Sequence, residues 1–495
     1  MRKYIQFVSE MHRITDLGHA IGVLHWDTEV YLPPGGSRFR AQQISTLSGM
    51  AHGMFTEAKM GKLLNALMTD NSLTADEHRN VELTLLDYER EIKLDKAFVE
   101  KLSSARSDAF NKWVAARKAS DFAMFKPALD TLVGLKRREA EMRRTSGEPY
   151  DALLDLYEPG LRADILDQLF GEAKTAILPM LRQLNPVAED GVFLRKHYAK
   201  DAQWEFGLEI LKRMGYDMQH GRQDISAHPF TISFSPEDVR VTTRIDEQDF
   251  ANMTWSCIHE GGHALYEQGL PTAQYGLPLG SSASLGIHES QSRLWENHVG
   301  RSLAFWEYWY PILQEQFPQN LANVSLDRFY KGINLVAPNL IRTEADELHY
   351  HLHVIIRYEL ERDLINGSLQ VDQLREQWNQ KYHDYLGIEV TDDANGILQD
   401  VHWSHGSFGY FPTYSIGSFY AAQFFATAQK AIPDLDDNFR VGDYSALLTW
   451  LRSKIHIHGR RHDPEELCKQ VTGKSLDVTY FVDYIRGKLE GTGLL

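Results

Sequence analysis

The sequence predicts a mainly α-helical fold with one short β segment, and three observations predict it. Apolar residues recur at helical spacing over most of the 495 residues. Across residues 73–145 acids and bases alternate with few breakers, as in long antiparallel helices solvated on one side. The one clear departure lies in residues 228–244, where β-branched and aromatic residues flank a Ser235-Pro236 turn signal.

Taken in order, residues 1–28 read as a helix that ends near His25-Trp26-Asp27 and is broken by Pro33-Pro34-Gly35-Gly36. Ser37 can cap a second helix through Met50, and His25 and Asp27 read as structural residues beside the turn. The charged section closes at Pro159-Gly160, and a helix is predicted over 163–184. Residues 228–234 and 239–244 form a β-hairpin that leads straight into the next helix. A strand there can bind a peptide by adding it at its edge, with Asp238, Arg240, Thr242 and Arg244 sharing one face.

Asp246 and Asp249 resemble a capping box, and Phe250, Met253, Cys257, Ala264 and Leu265 hold helical spacing as far as Gly269. This helix carries His259-Glu260-Gly261-Gly262-His263. Histidines four apart share one face, so both imidazoles can reach one ion while Glu260 stands beside it as a base. Gly261 and Gly262 each cost a helix about 1 kcal/mol relative to alanine, which implies that something packs against the backbone there. Cys257 reads as a small buried side chain. A Gly/Pro/Ser-rich loop over 276–283 precedes a second helix, 285–296, and Pro338 is expected to open a third that runs through Asp346 to Gly367. An aromatic, Gly-rich loop at 406–414 and helices near 447–457 and 478–488 complete the chain.

The composition, 43% hydrophobic and 24% charged, is that of a globular protein. A net charge of -16 without any Lys/Arg-rich run argues against nucleic acid as a partner. No stretch of about 18 apolar residues is present, and Glu10, His12 and Arg13 interrupt the place of a signal peptide. Cys257 and Cys468 are the only cysteines, which suits a reducing compartment. The expectation is a cytoplasmic protein with no membrane partner.

A catalytic zinc keeps three protein ligands and one water. Glu267 shares the face of His259 and His263, but its eight-residue distance from His259 is about 12 Å along the axis, too far for one ion. Glu289 and Glu296, seven apart on the next helix, are not separated by spacing, although Glu289 lies nearer the Gly-rich entry. His349 and His353 lack an acid after the first histidine and read as structural, as do His456 and His458.

Six motifs together carry a resemblance: His228-Pro229-Phe230, Asp238-x-Arg240-x-Thr242, His259-Glu260-x-x-His263, His288-Glu289-Ser290-Gln291, Ile341-Arg342-x-x-Ala345-Asp346 and Gly396-x-x-Gln399-Asp400-x-His402-Trp403. In this order they resemble the carboxypeptidase Taq family of HExxH metallocarboxypeptidases across the whole chain. The resemblance implies that Glu289 is the third ligand and Glu260 the general base. It also implies a homodimer and an almost wholly helical fold with a small sheet beside the metal. Residues 1–495 would form a single domain, with two helical lobes around a deep central groove. Arg293 stands where some helical HExxH peptidases place an aspartate, so the partners of His259 and His263 stay open among Asp238, Asp346 and Asp400.

The expected chemistry is metal-assisted hydrolysis of the C-terminal peptide bond, with one divalent ion per subunit, Zn2+ first and Co2+ or Mn2+ also suited. The resemblance implies broad side-chain tolerance and poor cleavage at proline. His228, Tyr410 or Tyr414 could donate to the oxyanion. Arg342, then Arg240 and Arg244, could grip the terminal carboxylate. A helical HExxH oligoendopeptidase is the rival reading. A structural metal protein would have no use for Glu260.

Overall fold

The computed structural model describes residues 2–185 and 191–495. In chain order the helices are α1 (Arg2–Val30), α2 (Ser37–Thr56), α3 (Ala58–Met68), α4 (Ala75–Ile92), α5 (Lys96–Ala119), α6 (Lys126–Arg143), α7 (Asp151–Leu154), α8 (Ala163–Gln183) and α9 (Lys200–Met214). Strands β1 (Gly221–Ile225), β2 (Thr231–Ser235) and β3 (Asp238–Thr243) follow, then α10 (Phe250–Glu267) and α11 (Leu285–Arg293). Among the described residues no helix is long and apolar enough to cross a membrane.

The chain forms two compact units, the first from residues 1–92, 189–333 and 420–476, the second from 93–188, 334–419 and 477–495. In the first, Phe7, Met60, Leu64, Leu67, Val81, Tyr88 and Leu277 pack into one apolar cluster that ties α1, α3 and α4 together. Its sheet has the order β1-β3-β2. The expected hairpin is β2 with β3, antiparallel with Ile232 opposite Arg240. A third strand, β1, joins β3 in parallel, with Gln223 opposite Val241. Its sequence, Gly-Arg-Gln-Asp-Ile, has no apolar alternation to announce it. Thus β3 is the central strand, and the open edge on the hairpin side is β2.

Three local expectations are corrected. Ser37 does not cap α2; it is the first helical residue, and its hydroxyl donates to the Pro34 carbonyl at 3.3 Å. Asp246 and Asp249 do not form a capping box: Asp249 is the cap and accepts from Ala251 N at 3.0 Å, while Asp246 accepts from Gln248 N at 2.8 Å. Pro338 does not open the third helix, which spans His349–Asn366 and ends on Gly367 at φ 89°. Asp346 caps that helix by accepting from Leu348 N and His349 N. Before it, the Arg342 amide donates to Gln399 Oε1, and Arg342–Glu344 form only a short 3-10 turn.

The second unit is built around that helix, which is buried on nearly every side. Arg357 and Glu361 are fully buried on it. Arg357 is satisfied by Asp400. Glu361 accepts from Tyr150 Oη, Trp403 Nε1 and Gly409 N at 2.8–2.9 Å.

Candidate active site

The site grows from α10 in the first unit. His259 and His263 lie one turn apart with ring centroids 4.9 Å from each other. Gly261 and Gly262 let two neighbours reach the α10 backbone. A Cβ on Gly261 would stand 2.6 Å from Leu211 Cδ2 of α9, and one on Gly262 would stand 2.7 Å from both the Gln291 carbonyl oxygen and Ser292 Cα of α11. With no side chain between them, α11 settles directly on α10. That contact brings Glu289, one turn before Ser292, down to the histidines.

Glu289 Oε2 lies 3.4 Å from His263 Nε2 and 3.7 Å from His259 Nε2. Donors about 2.1 Å from one tetrahedral ion stand about 3.4 Å apart, so these three atoms fit a single divalent cation. The other ring nitrogens point away. His263 Nδ1 donates to the His288 carbonyl at 3.0 Å, and His259 Nδ1 lies 2.8 Å from Glu296 Oε2. Both arrangements place the proton on Nδ1 and leave the Nε2 lone pairs facing Glu289, as metal ligation requires. Burial, and next the neighbouring His288, push the His263 imidazole down to about 3, so the ring is neutral.

These contacts correct the expected ring partners. Asp238 forms a fork with Arg240, through Nε and Nη2 at 2.8 Å each. Asp346 is the helix cap and lies 2.7 Å from His349 Nδ1. Asp400 takes Arg342 and Arg357. Glu296, one of the two acids that spacing left open, sits on the ring of His259 instead. It gets there through geometry that periodicity does not reveal: after Arg293 the helix widens into a π segment over Leu294–Val299. Against the upward push of burial, Arg293 holds the Glu296 carboxyl down to about 2.

Glu260 follows His259, buried, with its Oε2 2.7 Å from Thr231 Oγ1 on β2. Burial raises its carboxyl above the ordinary range, although His259 and the Thr231 hydroxyl pull the other way. A carboxylate in that state is a better proton acceptor than a solvated one. Glu267 pairs instead with His288 Nε2 at 2.9 Å, and the His288 ring stacks on His263 with centroids 4.4 Å apart. Spacing places Glu267 on the face of the two histidines but does not announce its pairing with His288.

Along β2 runs a cavity of about 570 Å³, walled by Thr231, Ser233, Glu267, Tyr275, Ser281 and His288. It therefore borders both the partner of Glu260 and the residue before Glu289. The Phe230 carbonyl accepts from Thr242 N across the hairpin. By alternation, the amides and carbonyls of Thr231 and Ser233 face away from β3, toward this open side.

The remaining expected residues are placed as follows. His228 is exposed just before β2, and its carbonyl accepts from Ser226 Oγ. Arg240 is spent on Asp238 and lies between the rings of Trp26 and Phe234, at 4.6 and 5.0 Å. Arg244 is exposed and donates to Asn252. Arg342, Tyr410 and Tyr414 belong to the second unit. There Arg342 is 5% exposed, donates to Asp400 and Tyr350, and is covered by Tyr414 at 4.9 Å. Asp400 and Tyr350 take three of its five N–H groups, one each on Nε, Nη1 and Nη2, and so fix the guanidinium in place. Tyr414 Oη lies 3.1 Å from His402 Nε2, and its ring meets Tyr410 edge-on.

A sequence profile described as carboxypeptidase Taq (M32) metallopeptidase matches residues 6–489. Carboxypeptidase 1 of Bacillus subtilis is 41% identical over 493 residues, covering 99% of this chain and 98% of its own. Thermostable carboxypeptidase 1 of Thermus thermophilus is 40% identical over 499 residues, covering 98% of each. The crystal structure of the M32 carboxypeptidase from Deinococcus radiodurans R1 superposes with a TM-score of 0.98 at 38% identity, covering 100% of both chains.

Proposed function

The chain belongs to the carboxypeptidase Taq (M32) family of metallopeptidases, and from that membership we propose how its own residues cleave the C-terminal peptide bond of a peptide to release a single amino acid. The observation that carries the reading is the convergence of His259 Nε2, His263 Nε2 and Glu289 Oε2 beside a buried Glu260. These three side chains hold one divalent ion per subunit, and two nitrogens with one carboxylate oxygen suit Zn2+ first, then Co2+ or Mn2+. When bound there, the ion supplies Lewis acidity to the scissile carbonyl and lowers the pKa of water toward about 7.

Glu260 accepts the proton of the attacking water and passes it to the leaving amine. Thr231 holds one of its carboxylate oxygens, so the strand that receives substrate also aims the base. The substrate backbone lies along the open edge of β2, hydrogen-bonding to Thr231 and Ser233, with the adjoining cavity taking its side chains. His228, three residues before that strand, is the proposed oxyanion donor, with Tyr410 and Tyr414 as the alternatives. The enzyme works in the cytoplasm as a homodimer on peptides, without nucleic acid. Its paucity of cysteine and the lack of a basic run support this setting.

The test compares one peptide with a free and an amidated C-terminus by time-resolved mass spectrometry. Stepwise loss of single residues should occur on the free acid and stop on the amide. Internal fragments from both would favour the oligoendopeptidase.

A further inference from the structure

Resting on the reading of His259, His263 and Glu289 as metal ligands, we propose that Arg293 is a positioning residue that fixes which oxygen of Glu289 is offered to the ion. Arg293 is flanked on its own helix by two acids, four residues before it and three after. Its Nε donates to Glu289 Oε1 at 2.8 Å, and its Nη1 donates to Glu296 Oε2 at 3.1 Å. Only Glu289 Oε2 is left turned toward the imidazoles. That oxygen also lies 3.2 Å from Ser292 Oγ, whose hydroxyl is 2.8 Å from the Glu289 carbonyl as well.

The consequence follows from carboxylate chemistry. A carboxylate with both oxygens free can take a cation through either or both. With Oε1 occupied by a guanidinium N–H, Glu289 gives a single oxygen, and a ligand set of two nitrogens and one oxygen keeps positions for water and substrate. The same guanidinium steadies Glu296, and Glu296 in turn lies against Nδ1 of His259. One planar fork therefore governs two of the three ligands, which a lysine, with one point of charge, cannot do. The reach from Arg293 to Glu296 crosses the junction where α11 gives way to the π segment. The widened turn, the arginine and the second acid thus act as one device.

The test titrates Co2+ into metal-free wild type, Arg293→Met and Arg293→Lys, reading the visible absorption per bound ion and the affinity by chelator competition. Wild type should bind one Co2+ with an intense low-coordinate band. Both variants should show a weaker, blue-shifted band as Glu289 closes on the ion with two oxygens, and Arg293→Met should bind roughly 10–100-fold more weakly. Arg293→Lys keeps a positive charge between the two buried acids, so it decides the matter if the methionine variant fails to fold. An unchanged band and affinity in the folded variants would overturn the role of Arg293 while leaving the ligands standing. Absence of stoichiometric Co2+ binding by wild type, or its persistence in His263→Ala, would overturn the ligand reading itself.

Discussion

Glu260→Gln removes the proton acceptor and keeps the shape and the Thr231 contact. Activity should fall by about 10²–10⁴-fold while metal stoichiometry stays at the wild-type value, measured on the same samples. Glu296→Gln should show the opposite division: metal affinity falls by roughly 10–100-fold, and activity is recovered at saturating metal. At this scale the sequence was legible where chemistry and spacing coincide. His259, Glu260 and His263 come together because a helix repeats every 3.6 residues. Glu296 was visible only as one of two acids seven apart, because the π segment that turns it onto His259 leaves no mark in apolar periodicity. The pairing of Arg342 with Asp400 was not legible, because the two lie 58 residues apart in the chain.

Among the elements, the joint between α10 and α11 depends on an absent side chain. Gly262→Ala would push a methyl group into the α11 backbone, which cannot yield as a side chain can. It should cost about 1–3 kcal/mol in urea unfolding and also weaken metal binding, because Glu289 is lifted from the histidines. Gly261→Ala faces only the flexible ends of Leu211 and Met214 and should cost less on both counts. The glycine pair announced close packing in the sequence, and the hairpin announced itself by its turn. The start of the helix at His349 was hidden, since the fixed φ of Pro338 suits a helix start, whereas the buried pairing of Arg342 with Asp400 holds the chain out of helix until Asp346 can cap it. Strand β1 was hidden as well, because its pairing with β3 rests on backbone hydrogen bonds while its side chains are mostly polar.

For the molecule as a whole, the buried titratable groups set a stability profile with two opposed slopes. Burial, against the Gly409, Tyr150 and Trp403 donors, raises Glu361 from 4.5 to about 7. The folded state then holds a proton that the unfolded chain has lost, so this contribution is present below pH 4.5 and disappears as pH rises to 7. The loss is about 3 kcal/mol, and Glu361→Gln should flatten that limb of a melting-temperature curve. His456 runs the other way. Burial, and then Arg452, depress it from 6.5 to about 3, so its contribution is present above pH 6.5 and is lost as pH falls toward 3. Replacing His456 with glutamine should flatten the acid limb alone.

The weaving of the first unit from three stretches of chain also sets a timetable for its synthesis. Arg460 meets Asp87 of α4, a partner made 373 residues earlier. His456, likewise late, supports Gln291 two residues after Glu289. At about 5–20 residues per second a ribosome needs roughly 20–75 s to close that gap. Through that interval Asp87 waits for Arg460, while Gln291, made later, waits for His456 across 165 residues, about 8–33 s. A nascent chain arrested before residue 456 should therefore leave apolar surface of the first unit open to a holdase chaperone, and release of the last forty residues should discharge it.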